Sequence, residues 1–308
     1  MPPDESRYRD AERALWASVD VEPTERWVDL PTLGGTVRVL EAGDGPPVLF
    51  VHGAATPGTS WAPLAARLPG HRCLLLDRPG CGLSPRSPTS IADMDRFVIV
   101  GDTLVADTLD GLGIERAHVV GSSFGGYAAL RGTAAHPERT DRLVLLGWPF
   151  GAPIEKTPML MRIATTPVMS RLMLAIPPTK AMVRAMLKQT GLRRAIESGT
   201  FGPVETAWFL SVLRDTDTMR NEIDANPRVV TMRGLNNDVL IGDDVLARIE
   251  RPTLFLWGEE DPQGGAAVAR TFAARVPGAE LEMLPRMGHA PWMDDAGAIA
   301  TRITAFLT

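Results

Sequence analysis

Apolar residues along this chain fall into two kinds of run. Near the amino end, "RWVDLP" and "TVRVLEA" alternate apolar and polar positions on either side of Gly34 and Gly35. That is the pattern of an antiparallel hairpin with one buried face. From Pro46 onward the alternation gives way to unbroken apolar runs: "PPVLFVHG", "CLLLDRPG", "HVVGSS", "RLVLLGW" and "PTLFLWG". Strands buried on both faces read this way, as in a parallel sheet. "AELEMLP" adds a last strand. Stretches with helical spacing lie between them, at about 61–68, 91–112, 124–135 and 266–276, and "DAGAIATRITAFL" closes the chain as a helix. Residues 1–22 read as a charged helical arm with Leu15, Trp16 and Val19 facing inward. The expected class is α/β: a mostly parallel, eight-stranded twisted sheet with helices on both faces.

One connection breaks the rhythm. About 100 residues separate the strand ending near Trp148 from the strand starting near Thr253, whereas ordinary connections take a handful. The expected organisation is therefore a core in two parts, residues 1–148 and 251–308, with residues 149–250 inserted as a helical, strand-poor unit. Six of the thirteen methionines lie in its run "PMLMRIATTPVMSRLMLAIPPTKAMVRAMLKQTG", and prolines at 158, 167, 177 and 178 cut that run into short helices.

Composition narrows the function classes. The chain has 308 residues, 44% of them hydrophobic, enough for a sizeable core. Its net charge is −5, from 32 basic and 37 acidic residues spread without a basic block, which argues against nucleic-acid binding. The amino-terminal stretch lacks an apolar run of signal-peptide length, and no run of about 18 apolar residues occurs anywhere, so no membrane span is expected. Two cysteines, Cys73 and Cys81, suit a reducing compartment. These features together predict a soluble cytoplasmic protein; they leave its oligomeric state open.

The candidate chemistry gathers at strand ends, where ligands of open α/β sheets bind. Gly121-Ser122-Ser123-Phe124-Gly125 is a G-x-S-x-G match after a strand and before a helix. That is the setting of a nucleophile elbow, with a strained serine and glycines where side chains would collide. A serine needs a base, and the base an orienting acid. Of the five histidines, His118 lies within a strand and His71 leads into one at the far end. His136 is about 20 Å along the helix from Ser123. His52, in a strand-end "HG", reads as a backbone organiser. His289, in "MGHAPW" after the last strand, is the candidate base. Asp261 in "LWGEEDP" directly follows a strand and is the candidate acid, with Glu259 and Glu260 as neighbours; Asp238 and Asp243 are weaker choices. The oxyanion donors of such a site would be the amides of Phe124 and Ala54.

The set "VLFVHGAA", "LLLDRPGCGLS", "VVGSSFGGYAAL", "PTLFLWGEEDP" and "MGHAPWMDD", in that order, resembles the α/β-hydrolase superfamily in its cap-bearing branch. The resemblance covers about two-thirds of the chain. It implies a helical cap formed by the insertion, a small-molecule substrate, and neither cofactor nor metal. Serine at the elbow disfavours dehalogenase and epoxide hydrolase chemistry, for which relatives use aspartate. The leading expectation is hydrolysis of a largely apolar ester or lactone through an acyl-enzyme. The same triad also suits C–C bond hydrolysis of a diketone, and some members of the fold only bind small molecules. Trp148 and Phe150 stand where the chain leaves the sheet, as pocket lining or as hinge packing. The methionines of the insertion either line a pliable pocket or fill space between helices. Asp77 and Arg78 read as organisers of their loop.

Overall fold

The computed structural model describes residues 3–86, 93–155, 157, 162, 165–232 and 234–308. Eight strands form one sheet: β1 (Thr24–Asp29), β2 (Thr36–Ala42), β3 (Pro47–Val51), β4 (Arg72–Leu76), β5 (Ala117–Ser123), β6 (Thr140–Pro149), β9 (Thr253–Gly258) and β10 (Glu280–Leu284). The intervening β7 (Val230–Thr231) and β8 (Gly234–Leu235) are a separate two-residue pair inside the insertion. The sheet order is β1-β2-β4-β3-β5-β6-β9-β10. The first hairpin is antiparallel and joins β4 antiparallel; every pairing from β4 to β10 is parallel.

The unbroken apolar runs follow from this order. Strand residues alternate between two cores, one on each face of the sheet. Val144 and Leu146 of β6 join Phe50, Leu75 and Val120 on one face, with Leu15, Trp16 and Ile303. Leu143 and Leu145 join Leu49, Val119 and Phe255 on the other, with Leu104, Leu130 and Phe272. The first face is covered by helices Ala62–Ala65 and Ala296–Leu307 and by the amino-terminal helix Glu5–Ala17. The second is covered by helices Met94–Leu112, Phe124–Ala135 and Ala266–Ala273.

The amino-terminal arm buries Leu15 and Trp16 as expected, with Val19 packed at the edge of the core. It also buries Tyr8 and Glu12, which its charged pattern hid. Glu12 takes both terminal nitrogens of the buried Arg38 on β2, and the Asp4 amide donates to the Asp215 carbonyl in the insertion.

The insertion is mainly helical: Pro167–Ala175, Lys180–Leu187, Arg193–Ser198, Pro203–Asp215 and Thr218–Val229. Pro167 opens its helix at a position where no amide hydrogen is needed, and Pro177 and Pro178 separate the first two helices. Pro227 lies inside the last of these helices, near its end. Val239, Ile241, Val245, Leu246 and Ile249 then return the chain to the core beside helix Phe124–Ala135. Two expectations lie partly outside the described residues: the head of the 91–112 helix at Ile91, and the start of the methionine-rich run, including Pro158. Among the described residues, no helix is long and apolar enough to cross a membrane.

Candidate active site

Ser123 ends β5 and Phe124 starts the helix that follows without a spacer. So abrupt a change of direction forces Ser123 to φ 53°, ψ −122°, a region that costs a non-glycine residue free energy. The flanking glycines are required by contact. A Cβ on Gly125 would sit 1.8 Å from the Val51 carbonyl oxygen, and one on Gly121 would sit 2.6 Å from the Gly125 carbonyl oxygen. Gly53, after β3, faces the serine, since its Cβ position is 2.9 Å from Ser123 Cβ. Ser123 is therefore half-buried at the carboxyl edge of the sheet, held between the end of β3 and the end of β6.

The end of β6 collects the other two predicted residues. The Phe150 amide donates to the Ser123 carbonyl at 2.9 Å, while the Trp148 amide donates to Asp261 Oδ2 at 2.8 Å. Asp261 is 4% exposed, and its other oxygen accepts from the Gln263 amide at 3.0 Å. His289 Nδ1 lies 2.9 Å from Asp261 Oδ2. Nδ1 must carry the proton to donate to that carboxylate, which leaves Nε2 as the basic nitrogen. The acid and base of the sequence reading are thus paired in the geometry an orienting carboxylate needs. Glu259 and Glu260 beside them are exposed. Ser123 Oγ makes no hydrogen bond to His289 here; such contacts often tighten only around a substrate.

The remaining histidines divide as the sequence suggests. His118 lies in β5, and its ring meets that of His71, 6.5 Å away, next to β4. His52 is fully buried behind the elbow, where burial and the nearby Arg78 charge hold its pKa well below the ordinary 6.5.

The two amides of the oxyanion expectation belong to the residue after Ser123 and to the residue after Gly53. That of Phe124 is the first of its helix and has no partner within it, like any first-turn amide. That of Ala54 follows Gly53 on the exposed side of the β3 end. A buried aromatic cluster packs beneath the elbow helix. Phe124, Tyr127, Phe150 and Phe97 pack within 4.8–6.5 Å of one another. The Trp148 ring lies 6.3 Å from the His289 ring and donates its Nε1–H to the Pro153 carbonyl. Trp148 is therefore both the support of Asp261, through its amide, and packing against His289, through its ring.

A model of the alpha/beta hydrolase family matches residues 48–302 of this chain. The chain belongs to the alpha/beta hydrolase family. Its relatives include the 2-hydroxy-6-oxononadienedioate/2-hydroxy-6-oxononatrienedioate hydrolase of Comamonas testosteroni. That enzyme is 27% identical over 83% of this chain and 86% of the relative. The 2-hydroxy-6-oxo-6-phenylhexa-2,4-dienoate hydrolase of Burkholderia cepacia is 26% identical over 83% of this chain and 86% of its own. Among solved structures, naproxen esterase from Bacillus subtilis superimposes with a TM-score of 0.76 at 20% identity, each chain covered to 98%. The 2-hydroxy-6-oxo-6-phenylhexa-2,4-dienoate hydrolase of Rhodococcus sp. strain RHA1 gives 0.76 at 23% identity, over 93% of this chain and 99% of that one. At these identities the two structures speak for the fold.

Several residues that shape the site of this hydrolase had no readable signal. Gly147 (φ +70°) lets β6 pass the histidine loop: a Cβ there would meet the His289 carbonyl oxygen at 2.2 Å and Asp261 Oδ2 at 3.3 Å. Gly191 of the insertion (φ +98°) seats on the same loop, its Cβ position 2.6 Å from the His289 nitrogen. Gly288 answers it: a Cβ there would sit 1.7 Å from the Gly191 carbonyl oxygen. The need for glycine at each comes from a long-range contact that its local sequence does not show.

Proposed function

We propose that this hydrolase cleaves a bond to a carbonyl carbon through an acyl-enzyme on Ser123. The observation that carries the reading is the strained serine of the strand–helix junction standing at the sheet edge that also holds a paired His289 and Asp261. In this reading Ser123 Oγ attacks the carbonyl carbon and its proton passes to His289 Nε2. Asp261 keeps the imidazole in the productive tautomer and stabilises its cationic form. The amides of Phe124 and Ala54 take the developing oxyanion. The leaving group departs with the proton from His289, and a water activated by the same nitrogen releases the acid. The helical stretch between β6 and β9, residues 149–250, serves as the cap; its Gly191 contact with the His289 loop supports this role.

For the substrate we infer a vinylogous diketone, cleaved at the C–C bond beside a ketone. Relatives that align over more than four-fifths of the chain are hydrolases of such compounds. The leaving carbon is acceptable because its electron pair is delocalised into the conjugated ketone, and His289 then protonates it. A second reading, an apolar ester or lactone, is favoured by the apolar rings next to Ser123: Phe124 follows it in the chain, and the Phe150 amide bonds its carbonyl. The two free, buried cysteines, Cys73 and Cys81, accord with a cytoplasmic setting.

Turnover of 2-hydroxy-6-oxo-6-phenylhexa-2,4-dienoate and of p-nitrophenyl butyrate, measured side by side, tests both substrate readings. We expect the diketone to be cleaved with the higher kcat/KM and Ser123→Ala to lower kcat on either by at least about 10³-fold. An equal rate in Ser123→Ala contradicts the mechanism. A reversed preference replaces the substrate and keeps the mechanism.

A further inference from the structure

Arg78 lies in the loop after β4 and is 4% exposed. Its Nη2 donates to two acceptors, the Gly53 carbonyl at 2.9 Å and Glu222 Oε1 at 2.7 Å. Its guanidinium lies over the Phe124 ring, 4.3 Å from the centroid. Its own amide donates to His52 Nε2 at 3.0 Å. That bond requires the proton on His52 Nδ1, which lies 2.8 Å from the same Gly53 carbonyl. Thr56 Oγ1 adds a longer bond, 3.3 Å, to that oxygen. One carbonyl thus receives three donors: the Arg78 side chain, the His52 ring that the Arg78 backbone amide orients, and Thr56.

The Gly53 carbonyl shares a planar trans peptide with the Ala54 amide, and the two point in opposite directions. Whatever fixes the carbonyl fixes the direction of the amide. Gly53 also touches Ser123, so this peptide passes the nucleophile. The other oxyanion candidate is the amide of Phe124, the residue whose ring Arg78 covers. A buried guanidinium therefore contacts the residues behind both amides. Its charge is balanced by Glu222, which lies on helix Thr218–Val229 of the insertion. The same helix is held to the Arg78 loop by Thr218 Oγ1, which accepts from the Gly82 amide at 2.9 Å, and by Asn221 Nδ2, which donates to the Pro79 carbonyl at 3.3 Å.

We propose that Arg78 is the positioning residue of the oxyanion site, aiming the Ala54 and Phe124 amides and tying their alignment to the seating of the insertion through Glu222. This assignment rests on the serine-hydrolase reading above. Lysine does not replace arginine in the role, because one guanidinium fork serves the carbonyl, the carboxylate and the ring face together.

The test compares wild type, Arg78→Lys and Arg78→Met on the substrate that the wild type turns over. It measures kcat, KM, thermal midpoint and inhibition by a trifluoromethyl ketone, whose hemiketal on Ser123 places an oxyanion between the amides. For both variants we expect kcat to fall about 10- to 100-fold with KM within about threefold. The inhibition constant should weaken in step with the loss of kcat/KM. Arg78→Lys keeps the charge opposite Glu222 and so remains folded should Arg78→Met not fold; its kcat then decides alone. A kcat within twofold of wild type in Arg78→Lys overturns the assignment, as does a fall in thermal midpoint and a rise in KM with unchanged ketone inhibition. A wild type without Ser123-dependent turnover contradicts the serine-hydrolase reading, and this assignment with it.

Discussion

His52 shows how much of this site is set by residues that do no bond-making of their own. Its imidazole is buried behind the elbow and stays neutral, because burial first, and the Arg78 charge second, push its pKa well below 6.5. In the unfolded chain the same ring protonates near 6.5. The unfolded state therefore binds more protons below that pH, so stability is complete above about pH 6.5 and is lost as pH falls. Each unmatched proton contributes a slope of up to about 1.4 kcal/mol per pH unit. His52→Gln should remove that slope: between pH 7 and pH 5 the wild type should lose up to about 2 kcal/mol more than the variant. Urea unfolding at each pH measures it. His118, whose pKa is lowered chiefly by burial, titrates in both proteins and cancels. Parallel stability curves would show that His52 is not held neutral in the fold.

At the scale of elements, the strand–turn–helix at Ser123 is a joint with no spare volume. Gly125→Ala should cost more than about 4 kcal/mol, since its Cβ would meet backbone of β3 and neither partner can move without the sheet. Gly34→Ala, at φ +74° with nothing within 4 Å of its Cβ position, should cost only about 1 kcal/mol. Denaturant midpoints of the two variants separate contact from backbone strain. This joint was legible in the sequence because its determinants sit within five consecutive residues, and Asp261 and His289 were legible because each follows a readable strand. The sheet order was not, since β4 crossing outside β3 leaves no local mark. Nor were Gly147, Gly191 and Gly288, whose partners lie tens of residues away. Arg78 was half-legible: the sequence marks it as a loop organiser, and only the fold shows which carbonyl it organises.

At the scale of the whole molecule, the amino-terminal arm fastens the sheet to the insertion. Glu12 bonds Arg38 on β2, accepts from Tyr8 and from Thr59, and stands one turn from Leu15 and Trp16 in the core. Glu12→Ala removes one partner of a buried charge and the carboxylate that accepts from the Tyr8 and Thr59 hydroxyls. The expected loss is about 3–5 kcal/mol in urea unfolding, and a loss below about 1 kcal/mol would show that Glu25 and Asp77 suffice for Arg38. In the proposed mechanism, assembly on this scale is also what makes Ser123 reactive, because its base and acid come from the far end of the chain. Labelling with a tagged fluorophosphonate therefore tests the central claim most directly. Native and heat-denatured wild type and native Ser123→Ala are compared, and the modified residue is located by mass spectrometry. The account predicts one adduct, on Ser123, in the native wild type only. An adduct on another residue, or equal labelling of Ser123→Ala, would contradict it.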